Sequence, residues 1–197
     1  MLNRADEREY WDLIWEKFRT GDRRAFETIY NEYVDALFAY GSKITIHRDL
    51  LEDAIQDLFL DVYSYGSRLR KPESLEFYLY KTLKRIIYRK LKEKFRFTHP
   101  EHLVEQFDLT FPLEEADLEK LEEHTGMLRK ELKSLDVRKR ELLFLKFNSG
   151  MTYNEIGKLL DLKPDTVKKQ VSRVLKFLRG KLGESFLDLF VVCFRKY

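Results

Sequence analysis

With 197 residues, 44% of them hydrophobic, the chain can bury one sizeable core or two small ones, and 36% charged residues mark a water-facing protein. One cysteine, Cys193, excludes an intramolecular disulfide and a cysteine-rich zinc site, and His47, His99, His102 and His124 have no metal-ligand spacing. The net charge is only +3, so an anionic partner must be met by local charge: Lys81 to Arg96 and Lys163 to Lys181 are basic, whereas Glu101 to Glu123 is acidic.

The chain opens with Trp11, Ile14, Trp15 and Phe18 at i, i+3, i+4 and i+7, a first amphipathic helix that stops at Thr20-Gly21. Asp22 is placed to cap a second helix, in which Phe26, Ile29, Tyr30, Tyr33 and Leu37 line one face and Gly41 is expected to break the pattern. A third is predicted from about Asp49 to Tyr65, with Leu51, Ile55, Leu58, Phe59 and Val62 apolar and Gly66 closing it. After Pro72, Ser74 can cap a long fourth helix whose Leu75, Leu79, Leu83, Ile86 and Ile87 turn inward.

Periodicity then weakens. Between Thr98 and Thr125 acids outnumber bases and Pro100 and Pro112 appear, so residues 98–125 read as an acidic linker, with room for a short helix within Leu113 to Glu123. Helical pattern resumes at Leu128 to Leu135, Asp136 caps VRKRELLFLKF, and Asn148-Ser149-Gly150 is a stop. The predicted fold is all-α: a helical domain over 1–97, the linker, a second helical domain over 126–183 and an apolar tail over 184–197. The tail's Phe186, Leu187, Leu189, Phe190, Val191 and Phe194 are expected to pack on the last domain, with an interface as the alternative.

Thr152 to Leu182 carries a helix-turn-helix pattern. Thr152 and Glu155 form a capping box, Ile156, Leu159 and Leu160 give a one-sided helix, and Asp161 tolerates a left-handed turn. Gly157 is expected where the first helix approaches the second closely. Pro164 suits a helix start, and Val167, Val171, Val174 and Leu178 form its inner face. The outer face gathers Lys163, Asp165, Thr166, Lys168, Lys169, Ser172, Arg173 and Lys176, suited to phosphates and base edges if this helix enters a major groove. A solvated helix in a small bundle is the bland alternative.

Two more surfaces stand out. The third helix spaces Asp49, Asp53, Asp57 and Asp61 four apart, a like-charge ridge that costs a few tenths of a kcal/mol per pair unless an opposite charge meets it. An electropositive protein partner would meet that need. The fourth helix interleaves Lys81, Lys84, Arg85, Arg89, Lys90, Lys92, Lys94 and Arg96 with Tyr78, Tyr80, Tyr88, Phe95 and Phe97. Cations track a phosphate backbone and rings stack unpaired bases, so the mixture suggests separated DNA strands; its alternative is a core helix with inward rings. No glycine-rich phosphate loop, no Ser/His/Asp arrangement and no metal-ligand run is present, so neither an enzyme nor a cofactor is expected. No signal peptide opens the chain, and Phe186 to Phe194, interrupted by Asp188, is too short to span a bilayer, so a cytoplasmic protein is expected.

Together these segments resemble a bacterial RNA polymerase sigma factor of the extracytoplasmic-function group, over about Phe18 to Leu182. RTGDRRAFETIYNEYVDALFAYG looks like the start of that family's second region. DLLEDAIQDLFLDVY is similar to its most recognisable segment, with Asp53, Gln56, Asp57 and Phe59 at the motif positions. The resemblance implies that this helix, with Asp49 and Asp61, docks on the clamp helices of the polymerase beta-prime subunit. ESLEFYLYKTLKRIIYRKLKEK resembles the segment that opens the promoter −10 element, and LKSLDVRKRELLFLKFNSGMTYNEIGKLLDLKPDTVKKQVSRVLKFLR the fourth region, which reads the −35 element. The −10 contacts so implied fall on Tyr78, Lys81, Lys84, Arg85, Tyr88 and Arg89. Tyr78 stands where a Trp is common, and Arg85 and Arg89 stand where Asn and Asp are expected.

The partners implied are core RNA polymerase and promoter DNA, with an anti-sigma factor left open and no membrane insertion. Two other functions fit the residues: a non-sigma helix-turn-helix transcriptional regulator, and a helical adaptor that does not bind DNA.

Overall fold

The computed structural model describes residues 4–68, 72, 74–95, 107 and 126–183. The chain divides into two compact units, Met1–Leu103 and Val104–Tyr197. Among the described residues all regular structure is helical, and the fold is all-α in two helical domains.

The first unit holds α1 (Arg4–Arg19), α2 (Arg23–Ile44), α3 (Arg48–Tyr65), a single 3-10 turn (Gly66–Arg68) and α4 (Leu75–Phe95). Asp22 caps α2 as its sequence position predicts: Oδ1 accepts from the backbone N–H of Arg24 at 2.8 Å and of Ala25 at 3.4 Å, meeting donors that have no partner inside the helix. Ser74 does the same for α4, accepting from the Phe77 N–H at 3.2 Å. Trp15, Ile29, Leu37, Tyr40, Leu51, Leu58, Leu79, Leu83, Ile86 and Ile87 are all buried to within 1% of complete, each such side chain contributing about 1.5–3 kcal/mol. Most of these already stand out in the helical spacing of apolar residues.

Gly41 does not end α2. The helix continues to Ile44, and Gly41 is buried where α3 and α4 pass: an added Cβ would overlap the Leu51 side chain and come within 3.3 Å of Ile87 Cδ1. A residue expected to stop the helix is there to let two neighbours approach. Gly66 acts similarly at the end of α3, where a Cβ would run into the Phe18 ring.

In the second unit, residues 126–134 form α5, with Leu128 and Leu132 buried. Asp136 caps α6 (Val137–Leu143), accepting from the Lys139 N–H at 2.9 Å. The expected continuous helix instead widens over Phe144–Asn148 into a π turn, closed by the Ser149 N–H donating to the Phe144 carbonyl at 3.1 Å. The change accompanies five successive buried residues, Glu141 to Leu145, more than one stripe of a regular helix can turn inward. α7 (Tyr153–Leu160) and α8 (Pro164–Leu182) follow. Of the segment expected to be a linker, only Phe107 is described; it is 3% exposed, with its ring edge-on to Phe144 at 5.8 Å. The rest of that segment and the tail 184–197 lie outside the described residues.

Candidate nucleic-acid interface

The turn between α7 and α8 is built from its ends inward. Thr152 Oγ1 accepts from the Glu155 N–H at 3.2 Å, and Glu155 Oε2 accepts from the Thr152 N–H at 2.8 Å, the reciprocal box predicted from sequence. At the other end Asp161 takes the left-handed conformation, φ 55°, ψ 50°. The Leu162 N–H then donates to the Gly157 carbonyl at 2.8 Å. A Cβ at Gly157 would stand 2.5 Å from the Leu162 carbonyl oxygen. The close approach expected there is therefore to the backbone of the turn, not to the body of the second helix. Pro164 opens α8, and Val167, Val171, Val174 and Leu178 are buried.

That orientation sends the other side of α8 outward. Lys163, Asp165, Lys168, Lys169, Ser172, Arg173 and Lys176 are exposed and Thr166 is half-buried. Among the described residues none of these cations is in an ion pair. A rigid helix with one basic, unneutralised face has the dimensions and charge for the major groove of duplex DNA.

The outward side of α4 is different. Lys81, Arg85 and Arg89 are exposed, while Tyr78, Lys84 and Tyr88 are half-buried. The Lys81 ammonium lies 5.5 Å from the centre of the Phe77 ring and that of Lys84 5.7 Å from the Tyr88 ring. Tyr80 leaves the surface altogether: it is 1% exposed, packs on Tyr40 at 4.9 Å and donates its hydroxyl to the Ala36 carbonyl at 3.5 Å. Tyr78 packs edge-on to Trp15 at 6.3 Å. Burial, helped by the Asp61 carboxylate, raises its phenol above the ordinary value against the opposing pull of Thr82 and Arg85. The phenol therefore stays neutral at physiological pH.

On α3, Asp49, Asp53, Gln56 and Asp61 are exposed and Asp57 is partly so. Asp57 is already answered: its Oδ2 lies 2.8 Å from Lys90 Nζ and 3.8 Å from Arg89 Nη2 on α4. Part of the ridge's repulsion is offset inside the molecule. Phe59, one of the motif positions, is 4% exposed and packs on Tyr30 at 4.7 Å, so it supports the face from beneath. Leu60 and Tyr63, which sequence reasoning did not single out, are 62% and 48% exposed on the same helix; the signal was that both are apolar yet off the inward stripe.

The fold and these surfaces define a two-domain, helix-turn-helix class of DNA-binding protein, and comparison with known proteins narrows the class. The sigma-70 region 2 family model matches residues 29–97 and the sigma-70 region 4 model residues 125–178, together well over half of the sequence. The chain belongs to the sigma-70 family, and it carries region 2 and region 4 in the order expected of the extracytoplasmic-function group. It is a sigma factor, with core RNA polymerase and promoter DNA as partners. Solved structures with a similar fold include CnrH in complex with the cytosolic domain of CnrY: 20% identity, TM-score 0.53, covering 90% of this chain and 96% of that one. Another is the sigma factor RpoE with the anti-sigma factor NepR from Bartonella quintana: 20% identity, TM-score 0.54, covering 83% and 96%. No curated protein sequence matches the chain. No described helix is long and apolar enough to cross a membrane.

Proposed function

We propose that the two units divide promoter recognition, α8 reading duplex DNA at the −35 element and α4 holding separated strands at the −10 element, while α3 docks on the clamp helices of the beta-prime subunit. The observation that carries this reading is the contrast between the faces. The α8 face, from Lys163 to Lys176, has cations without an ion pair among the described residues, whereas α4 sets cations beside rings, the mixture that suits unpaired bases. In this division Lys168, Lys169 and Arg173 meet phosphates or base edges, with Asp165, Thr166 and Ser172 setting preference. Lys81, Arg85 and Tyr88 meet the open strand, beside Tyr78, Lys84 and Arg89. Asp49, Asp53 and Asp61, with Gln56 and Leu60, form the docking face.

Acting with core polymerase places the protein in the cytoplasm, as a regulatory subunit without catalysis of its own. An anti-sigma partner extends the reading: the RpoE of the similar structure is bound by one, and the outward faces of α3 and α8 are surfaces such a partner could cover. The deciding experiment is transcription with core polymerase from promoters selected out of a random pool. Initiation that depends on this chain, with sequence preference in both promoter elements, supports the reading. A chain that shifts duplex DNA but neither binds core polymerase nor starts transcription is instead a separate helix-turn-helix regulator.

A further inference from the structure

Between α7 and α8 the chain has only Asp161, Leu162 and Lys163 to set the angle of the recognition helix. A three-residue turn holds one angle only if its backbone groups are tied. The Gly157 carbonyl is tied, accepting from the N–H groups of Asp161 and Leu162. The Leu160 carbonyl, in the last turn of α7, has no further helical N–H to accept from, because the left-handed Asp161 ends the helix. Its partner comes from another element: Arg138, at the start of α6, donates from Nη2 to this carbonyl at 3.0 Å across 22 residues of sequence. A guanidinium at a helix C-terminus is favoured both by the charged hydrogen bond and by the negative end of the helix dipole. Leu160 itself is 6% exposed and belongs to the core under the turn.

We infer that Arg138 is a positioning residue for DNA reading: it fixes the helix-turn-helix turn from outside the motif, and so sets how α8 presents Lys168, Lys169 and Arg173. The inference rests on the proposal that α8 reads duplex DNA. Arg138 stands beside Lys139 and Arg140, where a cation could instead serve as a phosphate ligand. The hydrogen bond gives it a different task, with consequences that separate the two. Removing a side chain that binds phosphate weakens binding to every duplex alike and lowers the salt dependence by about one counterion. Removing a positioning residue leaves the number of neutralised phosphates alone and blurs discrimination between sequences.

The test uses the full chain with core polymerase and two duplexes: the −35 segment that the wild-type holoenzyme selects from a random pool, and a scrambled copy. For Arg138→Ala the ratio of affinities should fall roughly fivefold, the worth of one partly exposed charged hydrogen bond. The slope of affinity against salt should be unchanged. Arg138→Lys, which keeps a cation near the helix end without the planar fork, should recover part of the ratio. Arg138→Met, similar in length but without a donor, provides a second variant for the loss of the ratio if alanine loosens the fold, and thermal unfolding of all three confirms that folded protein is compared. An unchanged ratio in folded variants overturns the inference, as does a uniform loss on both duplexes with a shallower salt slope. If the wild-type holoenzyme selects no −35 segment, the assignment of α8 fails first, and the two failures are distinguishable.

Discussion

The outward faces of α4 and α8 have similar proportions of Lys and Arg but not the same electrostatics. On α8 the cations project from a helix whose other side is Val167, Val171, Val174 and Leu178, and among the described residues no acid answers them. On α4, Lys90 and Arg89 are held by Asp57 of α3, Lys81 and Lys84 lie over rings, and Tyr80 is committed to the core. A face of free cations attracts any phosphate backbone at long range and suits a helix that must find duplex DNA. A face where one carboxylate answers two of the cations and rings stand beside two more is amphipathic, and it gains further energy when bases become available to stack. The difference teaches that counting basic residues along a helix does not define a nucleic-acid surface; what each cation already touches does.

Breaking the comparison on its strong side should give the largest effect. Alanine at Lys168, Lys169 and Arg173 removes three candidate phosphate ligands, which should make the salt slope of duplex binding shallower by about 2.7 and lower affinity on the order of 10²-fold near physiological salt. Filter binding across a salt series measures both, and open-complex formation on a premelted template should be largely retained. Next, alanine at Lys81, Arg85 and Tyr88 should cost about 1–3 kcal/mol, the worth of roughly one stacked base, on the premelted template and little on the closed duplex. Equal losses on both templates from either set would show that the faces are not specialised.

The proposed docking face on α3 offers a subtler comparison between neighbours on one helix. Asp53→Lys should weaken binding to core polymerase about tenfold at low salt with no change in unfolding temperature, because Asp53 is exposed and has its charge available. Asp57→Asn should cost less than about threefold, since that carboxylate is shared with Lys90. Fluorescence titration of labelled protein with core polymerase orders the two, and the reverse order would move the docking centre toward α4.

The smallest effect concerns the cap that starts α6. Partial burial pushes the Asp136 carboxyl upward, but hydrogen bonds from the Lys139 side chain and backbone N–H, with the charges of Lys139 and Arg140, outweigh it and hold the carboxyl below its ordinary value. A lowered value in the folded state means that the carboxylate stabilises the fold at pH above the unfolded value, and that this contribution is lost as pH falls through the folded one. Asp136→Asn keeps a good cap and removes the titration. The two proteins should differ slightly in unfolding temperature at neutral pH and converge as the pH falls through the lowered folded-state value.

Much of this was legible in the residues. The inner faces of α3, α4 and α8 follow from apolar spacing because burial is decided by the helical period, as does that of α2 apart from Tyr30, which is 40% exposed; the caps at Asp22, Ser74, Asp136 and Thr152 follow because a short polar side chain before an apolar run has one useful thing to do. The left-handed Asp161 was readable for the same local reason. Gly41 was misread because a glycine's local meaning, a helix stop, was overridden by the approach of Leu51 and Ile87 from other helices. The π turn after Leu143 was missed because the run of buried residues that accompanies it does not follow a single helical stripe.

What the sequence by itself determined is the set of helices, their inward faces, the turn chemistry and the order of the two sigma regions, all of which depend on residues within a few turns of each other. Only the tertiary structure decided which charges remain available. The pairing of Asp57 with Lys90 and Arg89, the burial of Phe59 and Tyr80, the outward placement of Leu60 and the reach of Arg138 to the Leu160 carbonyl join residues on different helices or turn one side chain in or out. No periodicity encodes them, because they are set by how helices pack and not by how each one forms.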